Sequence, residues 1–482
     1  MQRSLTRCLA ALSLCGAVSA QNAVVVPLSQ GPDAARRATS LAVVGGDALV
    51  GGQLVGPTFD AALWRIDATT QAIATQGFPV PGGASVMAVS SDGTRVGITD
   101  TLSFSSWADP ANPTLQPIGV AALTAIERIG PETRATGFTH VGFTTPKFYS
   151  SMGLFGGWQT LAGNQGNFRQ PRAISASGSR VLAGDLYWNY GGSGYGVGID
   201  VPGNDDAEHL SPDGREWVGF GSRPFPFPNF GGVNYTCIWS EDHGLRRTFL
   251  RMPDASLAVA LGQRITDDRT VGGRLTLPGG IEAGMIWHPS MGSLYPQRFD
   301  DFVASHGGPA IAPVSSLLGM VDDGTHLHFL FEDASAQDPE YHYVRTPNFS
   351  TPASPFSVYG TGRGDEPFLP PHLYGEVDTG TGGPGDTVTF HAAEIESPNL
   401  PFGVIAFATA AVGTPALLVD PQALITTELV TLTQPQSLAQ DHGSYQWTIP
   451  AGTSGLSLFA QYVGFGTTSE LVFSNGLRLD IQ

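Results

Sequence analysis

Cysteine, lysine and long apolar segments are all scarce in this sequence of 482 residues. Of its three cysteines, Cys8 and Cys15 lie in an N-terminal segment that we expect to be removed, so Cys237 remains alone. A single cysteine excludes a framework of intramolecular disulfides. Cys237 stands in the apolar run Tyr-Thr-Cys-Ile-Trp, which predicts a small buried side chain on a strand and not a nucleophile.

The N-terminal segment has the three parts of an export signal. Arg3 and Arg7 form the basic start, an apolar run covers 8–17, and the small residues Val-Ser-Ala end at Ala20. We therefore predict a signal peptide over 1–20 and a mature protein that is secreted, extracellular or held at the cell surface, or retained in the periplasm. The alternatives are a short buried helix and a lipoprotein signal.

Basic residues are too few for a protein that binds nucleic acid. The chain has 42 acidic and 24 basic residues and a net charge of −18, which becomes −20 when the predicted signal and its two arginines leave. Nucleic acids and anionic membrane surfaces are bound by basic patches, so we expect neither as a partner. The apolar stretch 402–418 is broken by Gly413 and Pro415, so no membrane span is expected either.

Glycine and proline, by contrast, are abundant, with 62 and 36 residues. Between them lie short runs in which apolar and polar residues alternate, such as 49–55, 86–98 and 327–331, and no stretch keeps a helical period over three turns. This pattern predicts an all-β protein.

One unit recurs along the chain. It begins with a turn rich in Ser, Thr and Asp, continues with a Val-Gly or Gly-Gly strand, and often ends in an apolar residue followed by Trp. The turns are Ser90–Gly93, Ser175–Gly178, Ser211–Gly214, Thr266–Asp268 and Asp322–Gly324, and the apolar-Trp pairs end at Trp64, Trp239 and Trp287. A spacing of about 45 residues with four short strands per unit is typical of propeller blades. We therefore predict a β-propeller of about seven blades over residues 21–350.

The best-formed unit runs from Leu210-Ser-Pro-Asp-Gly to Cys237-Ile-Trp-Ser. It resembles the HAF-type extracellular repeat of secreted bacterial proteins. The resemblance implies a β-propeller outside the cytoplasm, and it brings no catalytic residues with it.

A second region follows a Pro/Gly/Ser-rich stretch, 351–372, that predicts a linker. Residues 373–482 predict a β-sandwich with strands at Leu373–Val377, Thr387–His391, Phe402–Ala410, Glu428–Leu432, Gly443–Ile449, Ser457–Tyr462 and Leu471–Asp480. The ending, with Leu-Phe-Ala-Gln at 458–461 and Ser-Asn-Gly-Leu-Arg-Leu at 474–479, resembles a small C-terminal domain of secreted proteins from large-genome bacteria. That resemblance implies attachment, sorting or surface display.

An acidic segment is the first candidate metal site. It contains Asp200, Asp205, Asp206 and Glu208, and several carboxylate oxygens on a flexible loop suit calcium. The alternative is a solvated acidic turn, and no other cofactor is expected for this segment.

A histidine cluster is the second candidate. His326 and His328 are two residues apart on a predicted strand, so their side chains share a face. A hairpin could bring His342 alongside them, and three imidazoles with a carboxylate would suit zinc or copper. Because the register of the hairpin decides which side chains meet, ordinary surface histidines are the alternative.

Aromatic loops are the candidate ligand-binding surface. They carry Tyr187, Trp188, Tyr190, Tyr195, Phe225 and Phe227. Aromatic platforms on the face of a propeller suit a carbohydrate or protein ligand, whereas packing over a blade edge is the alternative.

The common catalytic motifs are missing. The sequence has no Gly-x-Ser-x-Gly elbow, His-Glu-x-x-His pair, P-loop or dinucleotide fingerprint. We therefore favour a binding or scaffolding protein over an enzyme. A propeller hydrolase or lyase that acts on polysaccharide is the alternative, because its paired carboxylates would come from distant blades and leave no local motif.

Overall fold

The computed structural model describes most of the chain after residue 22. The described residues are 23–29, 34–54, 61–78, 80, 83–141, 143–152, 157–162, 170–191, 195–200, 206–223, 233–240, 246–250, 259–277, 280–291, 296–311, 314–333, 339–349, 355–359, 372–393, 402–408, 429–432, 436–437, 442–465 and 471–482. The predicted signal peptide, 1–20, lies outside them.

Among the described residues of 24–347, seven four-stranded antiparallel sheets follow one another, and we call them blades I to VII. The chain begins with β1 Val24–Pro27, and blade I then contains β2 Ala35–Val44, β3 Asp47–Leu54, β4 Ala61–Ile66 and β5 Ile73–Phe78. Blade II contains β6 Ala84–Val89, β7 Val96–Asp100, β8 Phe104–Asp109 and β9 Asn112–Val120. Blade III contains β10 Ala122–Ile129, β11 Glu132–Val141, β12 Phe143–Ser150 and β13 Gly157–Thr160. The next are, in blade IV, β14 Ala173–Ile174, β15 Arg180–Ala183, β16 Leu186–Asn189 and β17 Ile199–Asp200; in blade V, β18 Asp206–Leu210, β19 Glu216–Arg223, β20 Val233–Ser240 and β21 Arg246–Leu250; in blade VI, β22 Val259–Ile265, β23 Val271–Leu277, β24 Ile281–Trp287 and β25 Gln297–Arg298; in blade VII, β26 Val314–Asp322, β27 His326–Asp333 and β28 Tyr341–Pro347.

The blades form a closed ring. The first strand of each blade contacts the first strand of the next, and β2 of blade I contacts β26 of blade VII. The fourth strand of blade VII is β1, which pairs antiparallel with β28 from Val24↔Arg345 to Pro27↔His342. The last blade is therefore completed by the N-terminal strand. The prediction of an all-β propeller with about seven blades is confirmed.

The recurring turn joins the first and second strands of its blade. In blade V the hydroxyl of Ser211 donates to Asp213 Oδ1 at 2.6 Å and accepts the backbone N–H of Glu216 at 3.0 Å. Gly214 donates its N–H to the carbonyl of Ser211 at 2.9 Å, with a φ of +80° that glycine adopts without strain. Ser90, Asp92 and Gly93 form the same turn in blade II. The repeated Ser-x-Asp-Gly sequence is thus a structural signal for a tight turn.

Ser211→Ala is expected to lower the free energy of unfolding by about 1–3 kcal/mol, because it leaves a buried N–H group without its acceptor. Ser211 is fully buried. Denaturant unfolding measures the change, and Ser177→Ala, at an exposed position of the blade IV turn, is the matched control. Equal costs for the two substitutions would contradict the structural role of the buried hydroxyl.

Tryptophan takes an equivalent place in several blades. Trp64 on β4, Trp239 on β20 and Trp287 on β24 each lie on a third strand, and none is more than 2% exposed. Cys237 on β20 is also buried, as predicted, and packs with Trp217 and Trp239. The apolar-Trp pairs therefore supply the core between blades.

The described residues of the C-terminal region form two packed sheets. Its strands are β29 Phe356–Tyr359, β30 His372–Val377, β31 Thr387–Ala393, β32 Phe402–Ala408, β33 Leu429–Leu432, β34 Gln436–Ser437, β35 His442–Thr448, β36 Ser457–Phe465 and β37 Leu471–Asp480. One sheet has the order β29-β37-β36-β32-β33, with β34 also on β32, and the other has the order β30-β31-β35. Phe390 of the smaller sheet packs edge-on against Phe356 and Phe407 of the larger one, with ring centroids 5.5 and 4.9 Å apart. These aromatic contacts join the two antiparallel sheets of the region.

One sequence expectation about this region needs correction. The predicted linker 351–372 contains β29, whose buried Phe356 belongs to the sandwich core. Flanking Pro and Gly residues hid this four-residue strand. The chain also has a 3₁₀ turn, Pro289–Met291, and one short helix, α1 Phe299–Ser305, within the described residues. A helix of seven residues is too short to show a period over three turns.

Candidate functional site: the central channel

The axis of the ring contains a cavity of about 210 Å³. All seven first strands contribute to its wall, which is mostly apolar, with Leu41, Val89, Ile126 and Met320 among its residues. Four ionisable side chains interrupt this apolar wall: Glu127, Arg172, His209 and Arg264. A mostly apolar cavity with a few convergent polar groups is the usual form of a ligand site.

A larger cleft, of about 410 Å³, lies between blades I and II. Its charged groups bind one another or their neighbours: Arg65 bridges to Asp47 at 2.6 Å, and Asp109 bridges to Arg95 at 3.2 Å. We therefore place the candidate site in the central channel.

Arg264 presents a fixed cation to the channel. Its Nε and Nη2 donate to the carbonyl of Leu318 at 3.0 and 2.5 Å, and its Nη1 donates to the carbonyl of Gln263 at 2.6 Å. Burial lowers the pKa of Arg264 to about 10, which still leaves the guanidinium charged at neutral pH. No carboxylate lies within ion-pair distance of Arg264 in the part of the chain that the structure describes, although the charge of Glu208 acts to raise the Arg264 pKa. Its charge is held in place by neutral carbonyl oxygens.

His209 stands beside this cation. Its Nδ1 is buried and has no hydrogen-bond partner among the described residues. Burial, with a further contribution from the positive charge of Arg264, holds the pKa of His209 well below its usual value, so the imidazole is neutral at pH 7. A neutral imidazole with an unused nitrogen can donate a hydrogen bond to a ligand or accept one.

Arg172 is already engaged by acids. It forms ion pairs with Glu208 and, at 3.4 Å, with Asp206, both on β18. Burial raises the pKa of Glu208, while the charge of Arg172 acts against this. The acids expected to bind calcium thus neutralise an arginine at the channel wall.

The acids of the calcium prediction lie in different parts of the chain. Asp206 and Glu208 lie on a strand, Asp200 is exposed at the end of β17, and Asp205 lies outside the described residues. No described group of three possible metal ligands includes any of these acids.

Glu127 joins two blades at the edge of the channel. Its carboxyl accepts the N–H of Ser91 at 3.0 Å and the hydroxyl of Ser91 at 2.8 Å. Ser91 belongs to the turn of blade II, whereas Glu127 lies on the first strand of blade III. Burial raises the pKa of Glu127 to about 8, so the carboxyl is mostly protonated at neutral pH.

The histidine prediction is corrected in part. His326 and His328 come together on β27 with Asp323, but His342 does not join them. In the observed register His342 lies opposite Phe331, which puts it on the other face of blade VII, where it stacks on the Phe331 ring at 5.2 Å. Its neighbours there are Asp333 and Glu340.

The aromatic residues of the predicted ligand surface that lie in blade IV belong partly to the core. Tyr187 and Trp188 are buried, with 5% and 1% of their surface exposed, on β16. The indole of Trp188 donates to the carbonyl of Ala162 at 2.6 Å. These two residues therefore pack within the core. The sequence pattern indicated a loop because a hairpin of two four-residue strands is too short to show clear alternation.

The other aromatic residues extend the same packing. The hydroxyl of Tyr195 donates to the carbonyl of Gly178 at 2.6 Å, and its ring packs edge-on against Phe148 of blade III at 4.6 Å. Tyr190 lies under the guanidinium of Arg134, 3.7 Å from the ring centroid. Blade-edge packing, the alternative interpretation, therefore describes Tyr190 and Tyr195. Phe225 and Phe227 lie outside the described residues.

The channel residues were missed because no local motif marks them. A positional signal does exist, because His209 and Arg264 each lie two residues before the first residue of a recurring turn, which is Ser211 for His209 and Thr266 for Arg264. Ala173 and Met320 hold the same place in their units and also line the cavity. The position two residues before each recurring turn therefore faces the channel.

Comparisons with known proteins identify neither a family nor a function for this chain. No family model matches the chain, and no curated protein sequence matches it. Among solved structures, the chain is similar to the β-propeller domain of the trilobed protease from Pyrococcus furiosus, at 10% identity and a TM-score of 0.30, over 73% of this chain and 94% of that one. A TM-score this low carries no argument, so the propeller assignment rests on the seven sheets and their ring of contacts. Among the described residues, no helix has the length and apolar character needed to cross a membrane.

Proposed function

We propose that this protein is a secreted or surface-held binding protein whose propeller receives an acidic group of its ligand in the central channel. The observation that carries the proposal is Arg264, a charged guanidinium fixed by carbonyl oxygens, beside His209 with its unused nitrogen. A guanidinium prefers a carboxylate, which it can bind through two parallel N–H groups. The neutral imidazole of His209 offers one more hydrogen bond.

The size of the channel limits what can enter. A cavity of about 210 Å³ is smaller than the usual site for a whole drug-sized ligand. It suits the end of a larger molecule, such as one uronic acid unit of a polysaccharide or one acidic side chain of a protein. The predicted signal peptide, the resemblance to HAF-type repeats and the resemblance of the C-terminal region to display domains support a partner outside the cytoplasm.

The alternative, a hydrolase or lyase acting on polysaccharide, would need two or three acids and a base that converge in the channel. The acid that lines the channel, Glu127, bonds to Ser91, and Glu208, next to His209 on β18, pairs with Arg172. These contacts favour the binding proposal over the enzyme.

Calorimetric titration of the chain from residue 21 tests the proposal. The probes are galacturonate oligosaccharides and short glutamate peptides, each beside its neutral counterpart, galactose oligosaccharides and glutamine peptides. We expect binding of an acidic probe and a loss of affinity of about tenfold or more in Arg264→Gln, because hydrogen bonds to a charged group contribute about 1.5–3 kcal/mol.

Arg65→Gln is the matched control, since Arg65 lies on β4 with 64% of its side chain exposed and bridges only to Asp47 among the described residues. It should bind like the unaltered protein. Equal affinity for the acidic and neutral probes, or unchanged affinity in Arg264→Gln, would refute the proposal.

A further inference from the structure

Blade VII carries a cluster of metal-binding side chains that is separate from the channel site. Asp323 lies in the turn between β26 and β27, and His326 and His328 are the first and third residues of β27. Because side chains alternate along a strand, the two imidazoles share a face, and the turn brings the carboxylate to the same side.

The distances within this cluster suit a single ion. Nε2 of His328 is 3.0 Å from Oδ2 of Asp323, and Nδ1 of His326 is 3.8 Å from the same oxygen. One ligand atom from each residue lies within 4.8 Å of the others. Zinc bonds of about 2.0–2.1 Å in a tetrahedron place neighbouring ligand atoms roughly 3.3 Å apart. Small side-chain movements would bring all three atoms to that spacing.

The ligand atoms are held in place by their surroundings. His328 is fully buried, and its Nδ1 forms a hydrogen bond of 2.7 Å with the hydroxyl of Tyr343 on β28, which leaves Nε2 directed at Asp323. The other carboxylate oxygen, Oδ1, accepts the N–H groups of Thr325 and His326. In metal sites the second nitrogen of a histidine ligand is usually hydrogen-bonded, and a carboxylate ligand is usually oriented by hydrogen bonds of its own.

The cluster is also open on one side. The side chains of His326 and Asp323 are 18% and 19% exposed, so an ion can enter from solvent and keep one position for water. Two nitrogen ligands and one carboxylate favour zinc over calcium, which binds oxygen ligands.

We propose that Asp323, His326 and His328 bind a divalent zinc-type ion. The ion would connect the turn of blade VII to β27 and, through Tyr343, to β28. Tyr343 is the register partner of Val26 on β1, so the site reinforces the blade that closes the ring. This role is independent of the channel and of the ligand proposed above.

Titration with zinc chloride tests the site, on the chain from residue 21 without a histidine tag and after treatment with a chelator. We expect one tightly bound zinc ion per chain and an increase in melting temperature with zinc. When cobalt chloride replaces zinc chloride, we expect absorption bands typical of tetrahedral nitrogen and oxygen ligands. His326→Gln should weaken zinc binding at least tenfold and remove the increase in melting temperature. Because His326 is partly exposed, this variant should keep its fold.

His342→Gln is the matched control. It changes the second described cluster, Asp333, Glu340 and His342, on the other face of the same blade. It should bind zinc as the unaltered chain does. Absence of zinc binding by the unaltered chain, full binding by His326→Gln, or loss of binding in His342→Gln would each overturn the proposal.

Discussion

Glu127→Gln is expected to raise the free energy of unfolding at pH 8 by several kcal/mol and to flatten its dependence on pH. Glu127 is 8% exposed, and burial raises its pKa from 4.5 to about 8. In the unfolded chain Glu127 has its ordinary pKa of 4.5. Between pH 4.5 and about pH 8, the unfolded state has therefore lost a proton that the folded state keeps. The folded protein therefore loses stability as the pH rises through this window, by about 1.4 kcal/mol per unit at most.

Glutamine removes this loss and keeps an oxygen that can accept both hydrogen bonds from Ser91. Urea unfolding at pH 5, 6.5 and 8 measures the effect, with the largest gain over the unaltered protein at pH 8. Glu282→Gln is the control, because the Glu282 side chain is 36% exposed and pairs with Arg274 at 3.2 Å, so the loss of this carboxylate should not stabilise the protein. If Glu127→Gln and the unaltered protein lost stability in parallel as the pH rose, Glu127 would not be buried as described.

Val26→Asp is expected to cost about 3–5 kcal/mol, because it buries a carboxylate that has no partner. Val26 on β1 is buried in a cluster that includes Trp64 of blade I and Leu330 and Tyr343 of blade VII. The substitution therefore weakens the strand that completes blade VII and its packing against blade I. Denaturant unfolding gives the change in free energy, and limited proteolysis reports whether the closing strand is released.

Val44→Asp is the control for this substitution. Val44 is at the end of β2 and is 38% exposed, so the same change should cost less than about 1 kcal/mol. Similar costs for the two variants would show that closure by β1 contributes little to stability.

The blades were predictable because their signals are local. The Ser90 and Ser211 turns contain their own hydrogen-bond donors and acceptors within five residues, and Trp64, Trp239 and Trp287 recur at one place in the unit. Strands of the C-terminal region were predictable for the same reason. The last of them, Leu471–Asp480, begins and ends at the predicted residues.

The parts that were missed depend on contacts between distant residues. Nothing in Val24–Pro27 indicates that it pairs with β28, and Arg264 is held by the carbonyl of Leu318, 54 residues away. The separation of His342 from His328 depends on the register of one hairpin, in which a shift of a single residue reverses every side chain. Such facts follow from the assembled ring, and sequence patterns alone do not contain them.

The N-terminal closing strand also sets the order in which this protein can fold. The backbone N–H of Tyr341 donates to the hydroxyl of Ser29 across 312 residues of sequence, so the last blade stays incomplete until nearly the whole propeller has left the ribosome. Contacts over such separations form slowly, and β1 must wait as an unpaired apolar strand while six blades assemble. During that time the β1 strand of one molecule can complete blade VII of another, so we expect strand exchange between chains as a misfolding route of this architecture.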